Sequence, residues 1–296
     1  MQHYFLDSEY PNTPKEKALF HVVPLPLEET VSYKGGTCKG PEAIIEASSQ
    51  LEKLVEGLGE PGLLGIYTYP PISCNYETSV EEVFTRASLP IKEAFKQQAF
   101  PILLGGEHSV TNAALLSLQS EFPKGSVGIL QFDAHMDLRD TYEESKYSHA
   151  CVMHRAVEAD IPLFQVGIRN FSKEDVEARE AHHVGHLDAS ELYELRTSSG
   201  GFGNLTLPPS FPKQLYITFD VDGLDASLMS ATGTPDPGGL SWWDALTLLK
   251  VLTKGRTIVG ADVVELSPNP MLHHCDYTAA KLVYFLMALI AERRTS

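Results

Sequence analysis

The sequence predicts an α/β protein, a three-layer α-β-α arrangement with a mostly parallel central sheet. Three observations predict it. Short apolar runs alternate with longer stretches of helical periodicity, the pattern of βαβ units. Several of the runs are apolar nearly throughout, as strands buried on both faces of a parallel sheet are. Polar residues gather just after the runs, where the strands of an open α/β sheet end and where such sheets place their sites.

In chain order, strands are expected at Phe20–Pro24, Pro101–Gly105, Val127–Asp133, Leu163–Ile168, Leu215–Asp220 and Ile258–Leu266. Helices are expected at Pro41–Glu56, Val80–Gln98, Ser109–Phe122, Ser241–Lys254 and Thr278–Arg293. The Gly/Pro cluster from Ser198 to Pro212 reads as a loop and not as a linker, because the motifs on either side of it need each other. Residues 1–296 are therefore read as one domain, a length that suits one large α/β unit.

Composition narrows the function. The net charge of -16 disfavours nucleic acid, since neutralising phosphates takes an excess of Lys and Arg. It favours the approach of a cationic small molecule, although many soluble proteins are acidic. The four cysteines are scattered, with no Cys-x-x-Cys pair, which reads as a reduced, cytoplasmic chain. No signal peptide is visible at Met1-Gln2-His3-Tyr4. The longest apolar run, Leu282 to Ala291, falls short of the roughly 20 residues a membrane span needs. It reads as part of a buried C-terminal helix.

Three segments after apolar runs carry the chemistry. Asp133-Ala134-His135-Met136-Asp137 has Asp-x-His-x-Asp spacing, Asp220-Val221-Asp222 has Asp-x-Asp spacing, and Gly105-Gly106-Glu107-His108 adds an imidazole. Each alone could be a capped turn. Together they offer carboxylates that can bridge two cations, with some imidazole nitrogen, a set that suits Mn²⁺ better than a thiolate-rich one would. Two metals ~3.5–4 Å apart lower the pKa of a water and present hydroxide at neutral pH. Without a cation, carboxylates this crowded would repel one another.

At these residues the chain resembles the ureohydrolase (arginase/agmatinase) family, and among its members looks closest to the agmatinases. The resemblance covers Val31 to Gly36, Gly105 to Val110, Gln131 to Asp140, Ile217 to Ser227, Ala231 to Gly239 and Asp262 to Pro268. It implies an arginase-like fold and two Mn²⁺ per subunit. One would be held by His108, Asp133, Asp137 and Asp220, the other by His135, Asp133, Asp220 and Asp222, with Asp133 and Asp220 bridging. It implies hydrolysis of a guanidino group to urea and a primary amine, with Asp133 or a metal-bound group as the candidate proton donor to the leaving amine. Glu265 matches the guanidinium-binding glutamate, a role that suits a carboxylate facing a planar fork of donors. His149 matches the proton-shuttling histidine. The family's agmatinases often read Asp-His-Gly there, whereas this chain has Ser148-His149-Ala150. Thr234 is a further candidate for the substrate pocket, or a turn-forming threonine. The resemblance also implies a homo-oligomer, trimeric or hexameric.

His154 reads as structural. His182, His183 and His186 lack the acidic partner of a His-Glu-x-x-His zinc motif. His273 and His274 read as loop residues after Asn269-Pro270. The loop from Leu138 to Ser148 carries Asp140, Glu143 and Glu144, an acidic set that favours a cationic tail as in agmatine. Guanidinobutyrate, arginine and an aminopropyl derivative of agmatine are the alternatives. Two rival classes stand further off. A two-metal phosphoesterase would want Lys or Arg where Gly105-Gly106 is followed by Glu107. A non-catalytic relative would be expected to have lost some of these residues.

Overall fold

Side chains alternate between the two faces of each central strand, and both faces are covered. This computed structural model describes residues 3–74, 78–198 and 201–294. Its strands are β1 (Phe20–Leu25), β2 (Ile66–Thr68), β3 (Phe100–Gly105), β4 (Val127–Phe132), β5 (Leu163–Val166), β6 (Gly185–Leu187), β7 (Gln214–Asp220) and β8 (Thr257–Val264). The helices are α1 (Gly40–Ser48), α2 (Val80–Lys96), α3 (Thr111–Glu121), α4 (Val152–Glu158), α5 (Lys173–Ala181), α6 (Ala189–Ser198), α7 (Trp242–Leu252) and α8 (His273–Arg294). The strands form one eight-stranded sheet in the order β2-β1-β3-β8-β7-β4-β5-β6, and every pairing is parallel.

One face carries Ile102, Leu130, Phe132, Ile217 and Phe219 against α1, α7 and α8. The other carries Leu103, Ile129, Tyr216 and Val259 against α2, α3 and α4. This is the three-layer arrangement, and the double burial explains why the strand sequences are apolar at successive positions.

The register positions the site. Phe132 pairs with Phe219, and Asp220 pairs with Val264. The residues that follow β3, β8, β7 and β4, four adjacent strands, therefore emerge at one level of the sheet. Below them the rings of Phe132 and Phe219 stack with centroids 5.1 Å apart.

The structure departs from expectation at several boundaries. The first helix ends at Ser48 and not at Glu56. Ser48 turns its hydroxyl onto the Ile45 carbonyl and accepts from the Leu6 amide, the kind of local competition by which serine closes a helix. The last helix begins at His273, so His273 and His274 lie in its first turn rather than in a loop. The edge strands β2 and β6, of three residues each, are too short to show a period. Within the loop from Ser198 to Pro212, Ser199 and Gly200 lie outside the described residues. Its later part is fastened by the Arg256 guanidinium, which donates to the carbonyls of Leu207, Pro208, Phe211 and Pro212.

Candidate metal centre and active site

Close backbone packing opens the site. A Cβ on Gly106 would lie 1.9 Å from the Leu27 carbonyl oxygen, so only glycine lets β3 run on into Glu107 and His108 at this point. Two neighbouring residues adopt the left-handed backbone that side chains usually avoid, Asp137 with φ 54° and Glu265 with φ 67°. Such strain recurs at functional positions where the surroundings hold it. The Asp137 carbonyl is pinned by the amides of Met153 and His154, and the Glu265 amide by the Gly106 carbonyl at 2.8 Å.

The candidate ligands come together in two groups that share one carboxylate. His108, Asp133 and Asp137 form the first, and Asp133, His135 and Asp222 the second. Asp133 faces each group with a different oxygen. Its Oδ2 lies 3.1 Å from His108 Nδ1, and its Oδ1 lies 3.6 Å from His135 Nδ1. His108 Nδ1 also stands 3.0 Å from Asp137 and 3.5 Å from Asp220. His135 Nδ1 stands 3.1 Å from Asp222. Asp220 approaches the first group through Oδ2 and uses Oδ1 to accept from the Asp222 amide at 2.8 Å.

The orientation of His108 tests whether a cation fits. The Thr218 hydroxyl donates to Asp262 at 2.6 Å and so can only accept from His108 Nε2, 2.8 Å away. The Thr111 hydroxyl holds the other Asp262 oxygen. In a neutral ring His108 Nδ1, buried and without a hydrogen-bond partner, would aim a lone pair at carboxylate oxygens. A lone pair facing anions is repulsive unless a cation lies between them, and such outer partners commonly fix the ligating nitrogen of a metal-bound histidine. The donor set fits a pair of divalent ions that accept oxygen and imidazole.

Electrostatics point the same way. Burial, then the charges of Asp222, Asp133 and Glu265, pushes Asp220 well above the usual carboxylate range. Burial and then Glu107 do the same to Glu265, and burial and then Asp133 raise Asp137. Burial would lower His135, but Asp222 and Asp133 together push it up to about 12. Burial would raise Asp133, but His108 and His135 hold it below its ordinary value. Carboxylates that raise one another in this way form a group that bound cations would stabilise.

Glu265 Oε1 accepts from the His108 amide at 2.5 Å, and the side chain lines the inner recess beside His108 and Asp220. The Thr234 hydroxyl donates to Asp222 at 3.3 Å. His149 lies at the mouth, lining both the inner recess and the outer cleft. Its amide donates to the Thr30 hydroxyl oxygen at 2.9 Å, and its Nδ1 is 3.3 Å from the same oxygen and 3.4 Å from Ser148 Oγ. Thr30 in turn donates to buried Glu107 at 2.9 Å. Ala150 takes no left-handed backbone angle, so the methyl that replaces glycine is accommodated without strain. His154 binds the Leu138 carbonyl from Nδ1, 2.8 Å away, outside the ligand groups.

The acidic loop residues do not line the cleft. Asp140 is tied to Arg155 at 2.6 Å, and Glu143 and Glu144 are exposed at a tight turn. The cleft wall is instead built from Arg139, Tyr142, Asn170, Phe171 and Asp175. Thr218, Asp262, Thr30 and Gln131 are not among the candidate residues that local spacing picks out. Their signal was there: a polar residue inside an apolar strand run, as Gln131, Thr218 and Asp262 are, is buried and must have a partner.

A family model described as the Arginase family matches residues 18–289. The chain is 32% identical to the N(1)-aminopropylagmatine ureohydrolase of Synechocystis, over 97% of this chain and 94% of that protein. It is also 32% identical to the agmatinase of Pyrococcus horikoshii, over 97% of each. The agmatine ureohydrolase of Thermoplasma volcanium superposes with a TM-score of 0.82 at 27% identity, covering 100% of this chain and 96% of that one. The arginase-like fold, the paired ligand groups and these matches agree, and the chain belongs to the arginase family.

Proposed function

We propose that the protein hydrolyses agmatine to urea and putrescine at a pair of Mn²⁺ ions. The observation that carries the reading is the pair of ligand groups sharing Asp133, with the Glu265 carboxylate beside them. His108, Asp133, Asp137 and Asp220 would hold one ion, and His135, Asp133, Asp220 and Asp222 the other. When bound, such a pair lowers the pKa of a water so that hydroxide is available at neutral pH.

The chain's own residues do the rest. Glu265 takes the guanidinium through parallel hydrogen bonds and turns its carbon toward the ions. Thr234 borders the same recess. Hydroxide so supplied would add to the guanidinium carbon, and the adduct would then collapse with cleavage of the C–N bond to the alkyl chain. The leaving nitrogen would depart as an amine once protonated, with Asp133 passing on to it the proton that the added hydroxyl gives up as the urea carbonyl forms. His149 moves protons between the centre and the cleft.

Agmatine is favoured over arginine by the names of the relatives above. A second reading rests on Arg139. Its guanidinium lies 4.9 Å over the Tyr142 ring and 3.8 Å from Asp175, on the cleft wall, where a cation suits a carboxylate tail as in 4-guanidinobutyrate. The four cysteines are free, which supports a reducing, cytoplasmic setting, and no helix among the described residues is long and apolar enough to cross a membrane. A homo-oligomer, trimeric or hexameric, is part of the same proposal.

The test is urea release by the Mn²⁺-loaded protein from agmatine, N(1)-aminopropylagmatine, arginine and 4-guanidinobutyrate in parallel. Preference for agmatine is expected. Preference for guanidinobutyrate, lost on Arg139→Ala, would establish the second reading, and no urea from any of them would end both.

A further inference from the structure

Behind Asp133 runs a line of buried amides that ends on a cation in the outer helix layer. Gln131 on β4 and Gln165 on β5 are register partners, and both are buried completely. Gln131 Nε2 donates to Asp133 Oδ2 at 2.7 Å and to the His135 carbonyl at 3.2 Å. Gln165 Nε2 donates to Gln131 Oε1 at 2.7 Å and to the Met136 carbonyl at 2.8 Å. Gln165 Oε1 accepts from Arg179 Nε at 3.0 Å. The remaining Arg179 nitrogens make a two-pronged pair with Asp188 at 2.8 and 2.9 Å.

An amide can turn end for end at little steric cost, so its direction must be set by a neighbour. Arginine has five donors and no acceptor. Arg179 therefore compels Gln165 to present oxygen to it and nitrogen to β4. Gln131 must then meet that nitrogen with its own oxygen, which leaves its amide hydrogens for Asp133 and the His135 carbonyl. Every amide hydrogen of the two glutamines has an acceptor, and both amides donate on the side away from Arg179. Reversal of Gln131 would set oxygen against the Asp133 carboxylate, and reversal of Gln165 would set oxygen against Gln131 Oε1 and the Met136 carbonyl.

We infer that Arg179, Gln165 and Gln131 are positioning residues, a directional relay by which a cation on α5 fixes the carboxylate shared by the two ligand groups. The inference rests on the reading of those groups as a metal centre. The relay holds Asp133 Oδ2 toward His108 while Oδ1 accepts from the His135 amide at 2.6 Å. Asp133 is thereby kept open to both groups before any ion arrives.

The experiment is calorimetric titration of Mn²⁺ into the chelator-stripped full-length protein and its variants, with circular dichroism as the check on folding. Loss of an outer partner of a ligand costs roughly 10–100-fold in metal affinity, and that loss is expected for Arg179→Met and for Gln131→Leu. Arg179→Lys, which keeps a charged donor, should recover part of it. Because the residues act in series, the double variant should bind no more weakly than the weaker single one. Affinities within twofold of the wild type in the folded variants, or losses that multiply in the double variant, would overturn the relay. Should Arg179→Met fail to fold, Gln131→Leu carries the test through Mn²⁺ affinity alone. A wild-type protein that binds no Mn²⁺ would instead remove the metal-centre reading itself, and the relay with it.

Discussion

Thr30 ties two parts of the site together through one hydroxyl. Its proton goes to Glu107, so the oxygen can only accept from His149, at the amide and at Nδ1. That favours the tautomer with its proton on Nδ1 and leaves Nε2 as the free base, the form a proton shuttle needs. Thr30→Val, which keeps the shape and removes the hydroxyl, should lower kcat by roughly tenfold, a fraction of the ~10²–10⁴ that a positioned acid–base group contributes. KM should change little, and Thr30→Ser should recover most of the loss. Steady-state kinetics on the three proteins checks this, and a fall confined to KM would contradict it. The candidate ligands were legible in the sequence because each sits in a short motif. Thr30 was not, because its partner His149 lies 119 positions away. Nor was the support of His108, which runs through Thr111 and Asp262, 151 positions apart.

Elements were legible in proportion to their burial. The long central strands, covered on both faces, announce themselves as apolar runs. The edge strands β2 and β6 do not, and α1 was overextended because its apolar spacing outlasts the serines that end it. At this scale the stacked pair of Phe132 and Phe219 has a double duty, filling the core and levelling the two strand ends that carry Asp133 and Asp220. Phe219→Ala should destabilise the fold by roughly 3–5 kcal/mol, read as a lowered urea midpoint. It should also weaken Mn²⁺ binding, read by titration below the unfolding transition. A stability loss with unchanged metal affinity would confine the pair to packing.

Across the whole molecule, the net charge of -16 surrounds a site that already concentrates carboxylates. A cationic substrate is drawn in by that field, and the attraction is screened by salt over a Debye length of about 8 Å at physiological ionic strength. For agmatine, kcat/KM should therefore fall as salt rises while kcat holds, whereas an anionic guanidino acid should show the opposite trend. A flat salt profile for both would limit the charge to solubility.

The position of β8 has a consequence for when this protein can begin to work. Although made last, β8 lies between β3 and β7 and brings Glu265 to the site. Until it is inserted, β1–β3 and β4–β7 lack the strand that joins them, and the pairing that sets His108 level with Asp133 and Asp220 is incomplete. A growing chain thus has no complete trap for a metal ion. A complete set of candidate ligands on adjacent strand ends therefore waits for β8 to be inserted, so that metal binding should report the assembled sheet.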